Sequence, residues 1–379
     1  MRWPRGIRSA GTSCGIKRGG KPDLGILVAD SPITWAGTFT RNAAAAASVG
    51  WDRSLMGREV RAVVVNSGNA NACTGAVGRS AVQATAAAAA GLVGCSPGEV
   101  LVSSTGPIGV RLPVNKVVDA LPGALESLTE DVASFAGAIV TTDSHPKVAG
   151  STAGGATVVG VAKGAAMIAP NMATMLAFIA TDAAVERDRL QTILSRSVDV
   201  TFNRISVDAC ESTNDSVFLL AAGTARNTDD DLLAKAVEDV CRALAEDIVR
   251  DAEGASRLVR IEVCGASRDR DAVEMGRAVA ASALWRSAVH GGDPNWGRIV
   301  SALGAHDRSL DLGMVEVWIG DECVFDAGEP AGSLERASAE MQGEEVRVRC
   351  VVGSHPGVVE VLSTELTPEY VNLNAGGMS

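Results

Sequence analysis

Short apolar runs alternate with longer amphipathic segments along most of the chain. Apolar runs of strand length, bounded by turn residues, predict strands at 24–30, 61–65, 100–104, 156–162 and 257–264. Segments that are rich in alanine or have apolar residues at helical spacing predict helices at 80–92, 114–128, 185–200, 229–249, 271–288 and 334–341. The alanine run 43–47 predicts a short helical or packing segment.

The stretch 163–182 joins a polar turn to a long apolar run. It reads K-G-A-A-M-I-A-P-N-M-A-T-M-L and continues A-F-I-A-T-D. A Pro-Asn turn followed by apolar residues, with no charge before Asp182, predicts a turn that leads into a central, buried strand. Ala173 and Thr174 would occupy the first position of that strand, which would hold the threonine rigidly.

Thr174 is the candidate nucleophile of this stretch. A neutral hydroxyl is a poor nucleophile and needs a base nearby. Cleavage of the Ala173–Thr174 peptide bond would supply one, because the freed α-amino group has a pKa of about 7.7 to 8.0 and belongs to the same residue. For an arbitrary Ala-Thr pair, the simpler interpretation is a β-branched residue packed in a strand.

A second candidate for chemistry follows the predicted strand 100–104. The sequence S-T-G-P-I-G places Thr105 and Gly106 in a turn. Acyl transfer builds negative charge on a carbonyl oxygen, and a hydroxyl with a glycine N–H can donate hydrogen bonds to it. The spacing alone describes a common turn. The loop N-S-G-N-A-N-A-C-T-G at 66–75 is, by itself, more typical of an ordered structural loop.

Length and composition indicate a globular protein of about two domains. The chain has 379 residues, of which 46% are apolar and 21% charged. Aromatic residues make up 3%, against 41 glycines, which indicates close packing of small side chains. The net charge of −11, without a run of Lys or Arg, argues against nucleic-acid binding.

The cysteines and the hydropathy pattern indicate in which cellular compartment the protein works. Eight cysteines are scattered without a C-x-x-C pair or a histidine at ligand spacing, so we expect mostly buried, reduced thiols and no metal. The opening M-R-W-P-R-G-I-R lacks the apolar core of a secretory signal. No apolar run reaches the roughly 18 to 20 residues of a membrane helix. We therefore expect a cytoplasmic protein that binds no membrane.

Several motifs together resemble one known family. The segment 163–176 is similar to the self-cleaving segment of the ornithine acetyltransferases (glutamate N-acetyltransferases), K-G-x-G-M-I-x-P-N-M-A-T-M-L, with Ala166 in place of a glycine. Further matches lie at 6–17, 66–75, 104–109, 201–216, 251–256, 288–299 and 369–379. The resemblance therefore covers essentially the whole chain.

The resemblance implies a mixed α/β fold of two lobes, with antiparallel sheets sandwiched between helices. It also implies a precursor that cuts itself into an α chain, residues 1–173, and a β chain, residues 174–379. The implied reaction is acetyl transfer from N-acetylornithine to glutamate by double displacement, through an acetyl group carried on Thr174.

The family's functional residues fall on named positions of this chain. The oxyanion hole falls on Thr105 and Gly106, and the substrate contacts fall on Thr141, Lys163, Thr174, Glu253, Asn374 and Ser379. Thr142 is the alternative to Thr141. A carboxylate such as Glu253 suits the ammonium group of an amino-acid substrate. The motif at 288–299 is expected to be a structural turn that lines the site.

The chain departs from the family pattern in two places. Ala-Cys-Glu at 209–211 replaces Gly-Asp-Thr, and Gly-Met at 377–378 replaces Tyr-Thr in the tail. Cys210 has no histidine near it in the sequence, so we expect a packed thiol and not a nucleophile. His145 precedes a proline in a polar loop, and we expect a surface turn residue.

The resemblance implies small amino-acid substrates, no required cofactor and an α2β2 heterotetramer of the cleaved chains. It leaves open whether acetyl-CoA also donates acetyl groups, and whether the substrate belongs to arginine biosynthesis or to a specialised pathway with another N-acyl amino acid. The alternatives are an amidase or aminopeptidase with the same nucleophile, and a non-catalytic relative. Lys163 with Glu253 favours small charged substrates, and the intact cleavage pair argues against a non-catalytic protein.

Overall fold

The computed structural model describes residues 1–169, 175–225 and 229–376. The strands in these ranges are β1 (Ile7–Thr12), β2 (Leu24–Phe39), β3 (Val60–Ser67), β4 (Val100–Thr105), β5 (Lys147–Ala153), β6 (Ala156–Lys163), β7 (Leu176–Ala183), β8 (Ile205–Ser206), β9 (Ser216–Ala225), β10 (Leu258–Gly265), β11 (Glu316–Ile319), β12 (Glu322–Asp326), β13 (Glu329–Pro330), β14 (Glu345–Val351) and β15 (His355–Thr364).

Helices connect and cover these strands. Their bounds are α1 (Ala47–Ser54), α2 (Gly75–Val93), α3 (Val114–Glu126), α4 (Ala133–Ile139), α5 (Arg187–Asp199), α6 (Asp230–Arg250), α7 (Asp269–Ala281), α8 (Ala283–Gly291), α9 (Trp296–His306), α10 (Leu334–Glu340) and α11 (Pro368–Ala375).

The first sheet has the strand order β4-β3-β2-β9-β7-β6-β5, with β1 paired to β2. β7 lies inside it, parallel to β9 and antiparallel to β6. Its two faces are both covered, because Phe178 packs edge-on against Phe135 of α4 at 5.2 Å between ring centroids, while Ala177 and Ile179 join a core with α5 and α6. Burial on both faces explains why this strand is apolar from Leu176 to Ala180.

The second sheet has the order β13-β12-β11-β14-β10-β15-β8. Its buried face carries alternate residues such as Val346, Val348 and Cys350 of β14, which pack with α7 and α9. Each sheet contains parallel as well as antiparallel pairs; β10 and β14, for example, are parallel. The mixed α/β class is thus confirmed, and the sheets are mixed where the resemblance implied antiparallel ones.

Close packing of small residues is visible between α6 and the first sheet. A Cβ at Gly160 of β6 would lie 2.6 Å from Cγ1 of Val240 and 2.8 Å from Cδ1 of Leu244. Only glycine therefore lets α6 approach the sheet this closely. The expectation from the low aromatic content is confirmed at this contact.

Most predicted elements are confirmed, with three differences. The predicted helix 271–288 is two helices, α7 and α8, because the Ser282 hydroxyl accepts the Trp285 N–H and starts a new helix. The alanine run 43–47 is not helical before Ala47, where α1 begins. The strand after the Pro-Asn turn begins at Leu176, and Ala173 and Thr174 lie outside the described residues.

Candidate active site

A small cavity of about 60 Å³ is lined by most of the predicted site residues. Its lining comprises Thr105, Gly106, Ile108, Thr141, Thr142, Lys163, Ala166, Met167, Ser212, Thr213, Asn214 and Glu253. The cavity thus brings together the predicted oxyanion pair and three of the predicted substrate contacts, which lie far apart in the sequence. Thr174 and Ser379 lie outside the described residues.

Strand ends of the first sheet place these residues beside one another. Lys163, the last residue of β6, pairs with Leu176, the first residue of β7. Leu176 in turn pairs with Ser216, the first residue of β9. The end of β6 and the first residues of β7 and β9 therefore meet at one end of the sheet.

The predicted oxyanion pair is shaped by the Asn-rich loop. Gly106 has a φ of +137°, and a Cβ there would lie 2.4 Å from the Asn69 backbone nitrogen. Asn69 N–H donates to the Thr105 carbonyl oxygen at 3.0 Å. The Thr105 hydroxyl makes no hydrogen bond with another described residue and lines the cavity. It is therefore available to a reacting group.

Buried asparagine side chains hold this loop against the strands. Asn66 Nδ2 donates to the Asn69 carbonyl oxygen at 2.8 Å, and the Ser104 hydroxyl donates to Asn66 Oδ1 at 2.7 Å. Asn214 Nδ2 donates to the carbonyl oxygens of Ala70 and Ser104, both at 2.7 Å. Such buried networks fix backbone position when every member has a partner. The Asn-rich loop therefore has a structural role, because it fixes the backbone that carries the predicted oxyanion pair.

Lys163 supplies the positive charge of the cavity. Its side chain is 3% exposed, and within the described part of the chain its ammonium group has no hydrogen-bond partner. Burial lowers the pKa of Lys163, while the Asp143 carboxylate opposes that shift. An unpaired buried cation is costly, so this site is suited to receive an anionic group.

Two carboxylates hold the chain on either side of the candidate nucleophile segment. Asp208 accepts the N–H groups of Met167 and Ile168 at 2.6 and 2.8 Å, in a turn where Met167 has a φ of +58°. Asp215 accepts the N–H of Met175 at 3.1 Å. Burial raises the pKa of both carboxyl groups, for Asp215 well above its ordinary value. The residues flanking 170–174 are therefore anchored to one loop, 208–215.

The carboxyl-terminal tail contacts Glu253, the residue whose carboxylate is predicted to bind the substrate. Asn374 Nδ2 donates to Glu253 Oε2 at 2.9 Å, and the Thr367 hydroxyl donates to the Gly254 carbonyl oxygen at 2.8 Å. Gly254 has a φ of +69°, and a Cβ there would lie 2.5 Å from the Tyr370 nitrogen. The glycine after Glu253 thus permits the close approach of the tail.

Several expectations about individual residues are wrong. None of the residues 288–299 lines the cavity; Asn295 and Arg298 line a separate groove beside α7. Cys210 is exposed and not packed, and Cys73 is also exposed, so the thiols are not mostly buried. His145 does lie in a surface turn, where it contacts the Asp247 carboxylate at 3.0 Å.

The residues that hold the site were not predicted from the sequence; they are Lys17, Asn66, Asn69, Asp143, Asp208, Asn214 and Asp215. The sequence did contain a signal for the carboxylates. Asp143, Asp208 and Asp215 are the last residues of the short motifs T-T-D, S-V-D and T-N-D. Such residues in turns commonly accept backbone N–H groups.

All eight cysteines lie in the described ranges and are free thiols. No group of three or more His, Cys, Asp or Glu residues there could hold a metal ion. No helix there is long and apolar enough to cross a membrane. A larger cavity of about 700 Å³ beside α1 and α2, lined by residues such as Trp51 and Cys73, contains none of the predicted site residues.

Comparison with known proteins gives a consistent result. The sequence profile of the ArgJ family matches residues 8–378. The arginine biosynthesis bifunctional protein ArgJ of Thermus thermophilus is 44% identical over 377 residues, which cover 99% of this chain and 98% of that protein. The protein of the same name from Streptomyces coelicolor is 41% identical over 375 residues, covering 98% and 97%.

A solved structure agrees with the sequence matches. The crystal structure of the arginine biosynthesis bifunctional protein argJ from Bacillus halodurans matches with a TM-score of 0.51 and 35% identity. The match covers 53% of this chain and 98% of the solved chain. With the profile match and the full-length relatives, it leads to one conclusion: this chain belongs to the ArgJ family.

Proposed function

We propose that the protein transfers an acetyl group from N-acetylornithine to glutamate through an acetyl-enzyme on Thr174, after cleavage between Ala173 and Thr174. The threonine hydroxyl oxygen attacks the acetyl carbon, and its own α-amine takes the hydroxyl proton. The donor's carbon–nitrogen bond then breaks, and the amine gives that proton to the leaving ornithine nitrogen. In the second half, the glutamate amine attacks the acetyl ester, and its proton returns to the threonine oxygen.

One observation carries this proposal: a single cavity presents a buried ammonium, a carboxylate and an available hydroxyl. Lys163, Glu253 and Thr105 all line it. An amino acid has a carboxylate and an ammonium group, which match the charges of Lys163 and Glu253. In this proposal Thr105 and Gly106 donate to the oxyanion. Thr141, Asn374 and Ser379 contact the substrate.

The length of the solved relative supports the cleavage. The predicted β chain, residues 174–379, is just over half of the 379 residues. The Bacillus halodurans chain corresponds to 53% of this chain. We further propose that the two chains stay together as an α2β2 heterotetramer in the cytoplasm, where amino acids are made. Native mass spectrometry of the purified protein tests this assembly.

Cleavage is tested on a denaturing gel and by intact mass. The purified protein should give chains of 1–173 and 174–379 without added protease. Thr174→Ala should remain a single chain, and Thr174→Ser should still cut, because serine keeps a hydroxyl. Complete cleavage of Thr174→Ala in a purified system would refute the assignment of the nucleophile.

The reaction is tested by mixing the processed protein with N-acetylornithine alone. The mass of the β chain should rise by one acetyl group, and the addition of glutamate should remove it. Release of acetate without transfer to any amino acid would instead support an amidase. The same experiment with acetyl-CoA as donor tests whether a second donor serves the site.

A further inference from the structure

Lys17 belongs to an amino-terminal motif to which the proposed reaction assigns no role. The Asp23 carboxylate fixes its backbone, because it accepts the N–H groups of Cys14, Ile16 and Lys17 at 2.5, 2.6 and 2.7 Å. The Lys17 side chain passes over Gly68, where a Cβ would lie 3.0 Å from Cγ of Lys17. The loop thus directs the lysine toward the candidate active site.

Two side chains of opposite charge form hydrogen bonds with the C=O and the N–H of one peptide unit beside the cavity. The Lys17 ammonium donates to the Val140 carbonyl oxygen at 2.6 Å, across 123 positions of sequence. The N–H of the same peptide unit belongs to Thr141 and donates to Asp143 Oδ2 at 2.9 Å. Charge-assisted hydrogen bonds are stronger than neutral ones, so a peptide held at both ends has little freedom.

Asp143 also fixes the opposite wall of the cavity. Its Oδ1 accepts the Gly164 N–H at 2.6 Å, directly after Lys163. The Asp143 side chain is fully buried and forms an ion pair with the buried Lys147 at 2.8 Å. Burial raises the pKa of Asp143, but the charges of Lys163 and Lys147 outweigh it and hold that pKa below its ordinary value. The carboxylate is therefore charged, and its hydrogen bonds connect Thr141 on one wall of the cavity with Gly164 beside the other wall.

We propose that Lys17 and Asp143 are positioning residues that clamp the Val140–Thr141 peptide unit and so place Thr141 against the substrate bound beside Lys163. The role of Thr141 as a substrate contact rests on the proposed function. The clamp itself rests on hydrogen bonds between described residues. Neither residue lines the cavity, so each acts through the peptide it holds.

The charge of Lys17 makes the clamp sensitive to pH. Burial lowers the pKa of Lys17 to about 8. The charged groups that act on it are Asp23 and Lys21 near its own loop, Asp143 after α4, and Lys163 of β6; the two carboxylates favour the ammonium and the two lysines oppose it. The ammonium is therefore lost as the pH rises through about 8. The clamp should weaken in that direction.

Kinetics of Lys17→Met test the proposal, since methionine keeps the apolar stem without the charge. The ratio of kcat/KM in the unaltered protein to kcat/KM in Lys17→Met should fall as the pH rises through about 8, because only the unaltered protein loses the Lys17 ammonium. At pH 7, kcat/KM of Lys17→Met should be about 10- to 100-fold lower than that of the unaltered protein, because Thr141 is misplaced. Lys116→Met is the matched control, because Lys116 also donates to a backbone carbonyl, that of Gly15, away from residues 140–141.

Two kinetic results would overturn the proposal. One is a Lys17→Met protein whose kcat/KM at pH 7 lies within twofold of the unaltered protein. The other is a ratio of kcat/KM between the two proteins that stays constant as the pH rises through about 8. The α-amine of Thr174 titrates in both proteins, so its effect cancels in this ratio.

Amide hydrogen exchange of the unaltered protein tests the clamp without any activity. Protection of the Thr141 N–H should fall between pH 7 and 9, after correction for intrinsic exchange. The Met167 N–H, held by Asp208, should keep its protection and serves as the internal control. If the protection of the Thr141 and Met167 amides changes equally between pH 7 and 9, the clamp is refuted. Absence of acetyl transfer with a pH-dependent Thr141 amide would refute the proposed function and leave the clamp standing.

Discussion

Nδ2 of Asn374 in the terminal helix donates a hydrogen bond to Oε2 of Glu253 at 2.9 Å, across 121 positions of sequence. The other carboxylate oxygen, Oε1, is buried and has no partner among the described residues. An unsatisfied buried oxygen of this kind is costly in the absence of a ligand. The pair therefore suits an ammonium group that completes the hydrogen bonds of Glu253.

Glu253→Gln should impair substrate binding, because it removes the charge that attracts the ammonium group. Hydrogen bonds to charged groups contribute about 1.5 to 3 kcal/mol, so KM for N-acetylornithine should rise by roughly 10- to 100-fold. Steady-state kinetics on the processed protein measure this. Glu369→Gln, in the first turn of α11 and exposed, is the control and should change little. An unchanged KM for Glu253→Gln would remove this residue from the site.

Thr105→Ala should lower kcat by roughly 10² to 10³ with little change in KM, because an oxyanion donor acts mainly in the transition state. Thr105→Ser keeps the hydroxyl and should retain most of the activity. Both constants come from initial rates at several donor concentrations. Equal activity of the alanine and serine variants would show that the hydroxyl plays no part in the reaction.

Gly254→Ala should displace the terminal helix. Its φ of +69° and the 2.5 Å approach to the Tyr370 nitrogen leave no room for a Cβ. The tail should become sensitive to protease, and KM should rise, because the hydrogen bond from Asn374 to Glu253 would be lost. Gly223→Ala is the matched control, since Gly223 has a φ of +70° and nothing within 4 Å of its Cβ position. If both variants keep the tail protected, docking does not depend on this contact.

The tail substitutions predict a broad substrate range. Gly377 and Met378 stand where the family has a tyrosine and a threonine, and a tyrosine ring covers on the order of 150 to 250 Å². Shorter, longer and modified analogues of N-acetylornithine should therefore differ modestly in kcat/KM, by factors of about 10 to 200. Gly377→Tyr should narrow the range. Rejection of every analogue by more than about 10⁴ in the unaltered protein would contradict this prediction.

The sequence by itself determined where most strands and helices lie. β7 could be predicted because a strand buried on both faces contains a run of consecutive apolar residues, and the run 176–180 is a local property of the sequence. The oxyanion pair and the substrate contacts stay predictions from short motifs that resemble a known family, and the structure places five of these residues around one cavity, namely Thr105, Gly106, Thr141, Lys163 and Glu253. The helix 271–288 was misjudged, since one serine cap at Ser282 ends the regular hydrogen bonding without breaking the apolar spacing.

Only the tertiary structure decided which residues hold the site in place. Lys17 meets Val140, and Asn214 meets Ala70 and Ser104, over separations of more than 100 positions. A hydrogen bond between distant loops leaves no periodic pattern in the sequence, because its partners are set by how the sheet brings strand ends together. Short motifs were therefore enough to propose the chemistry of the site, whereas the contacts that hold its residues in place exist only once the chain has folded.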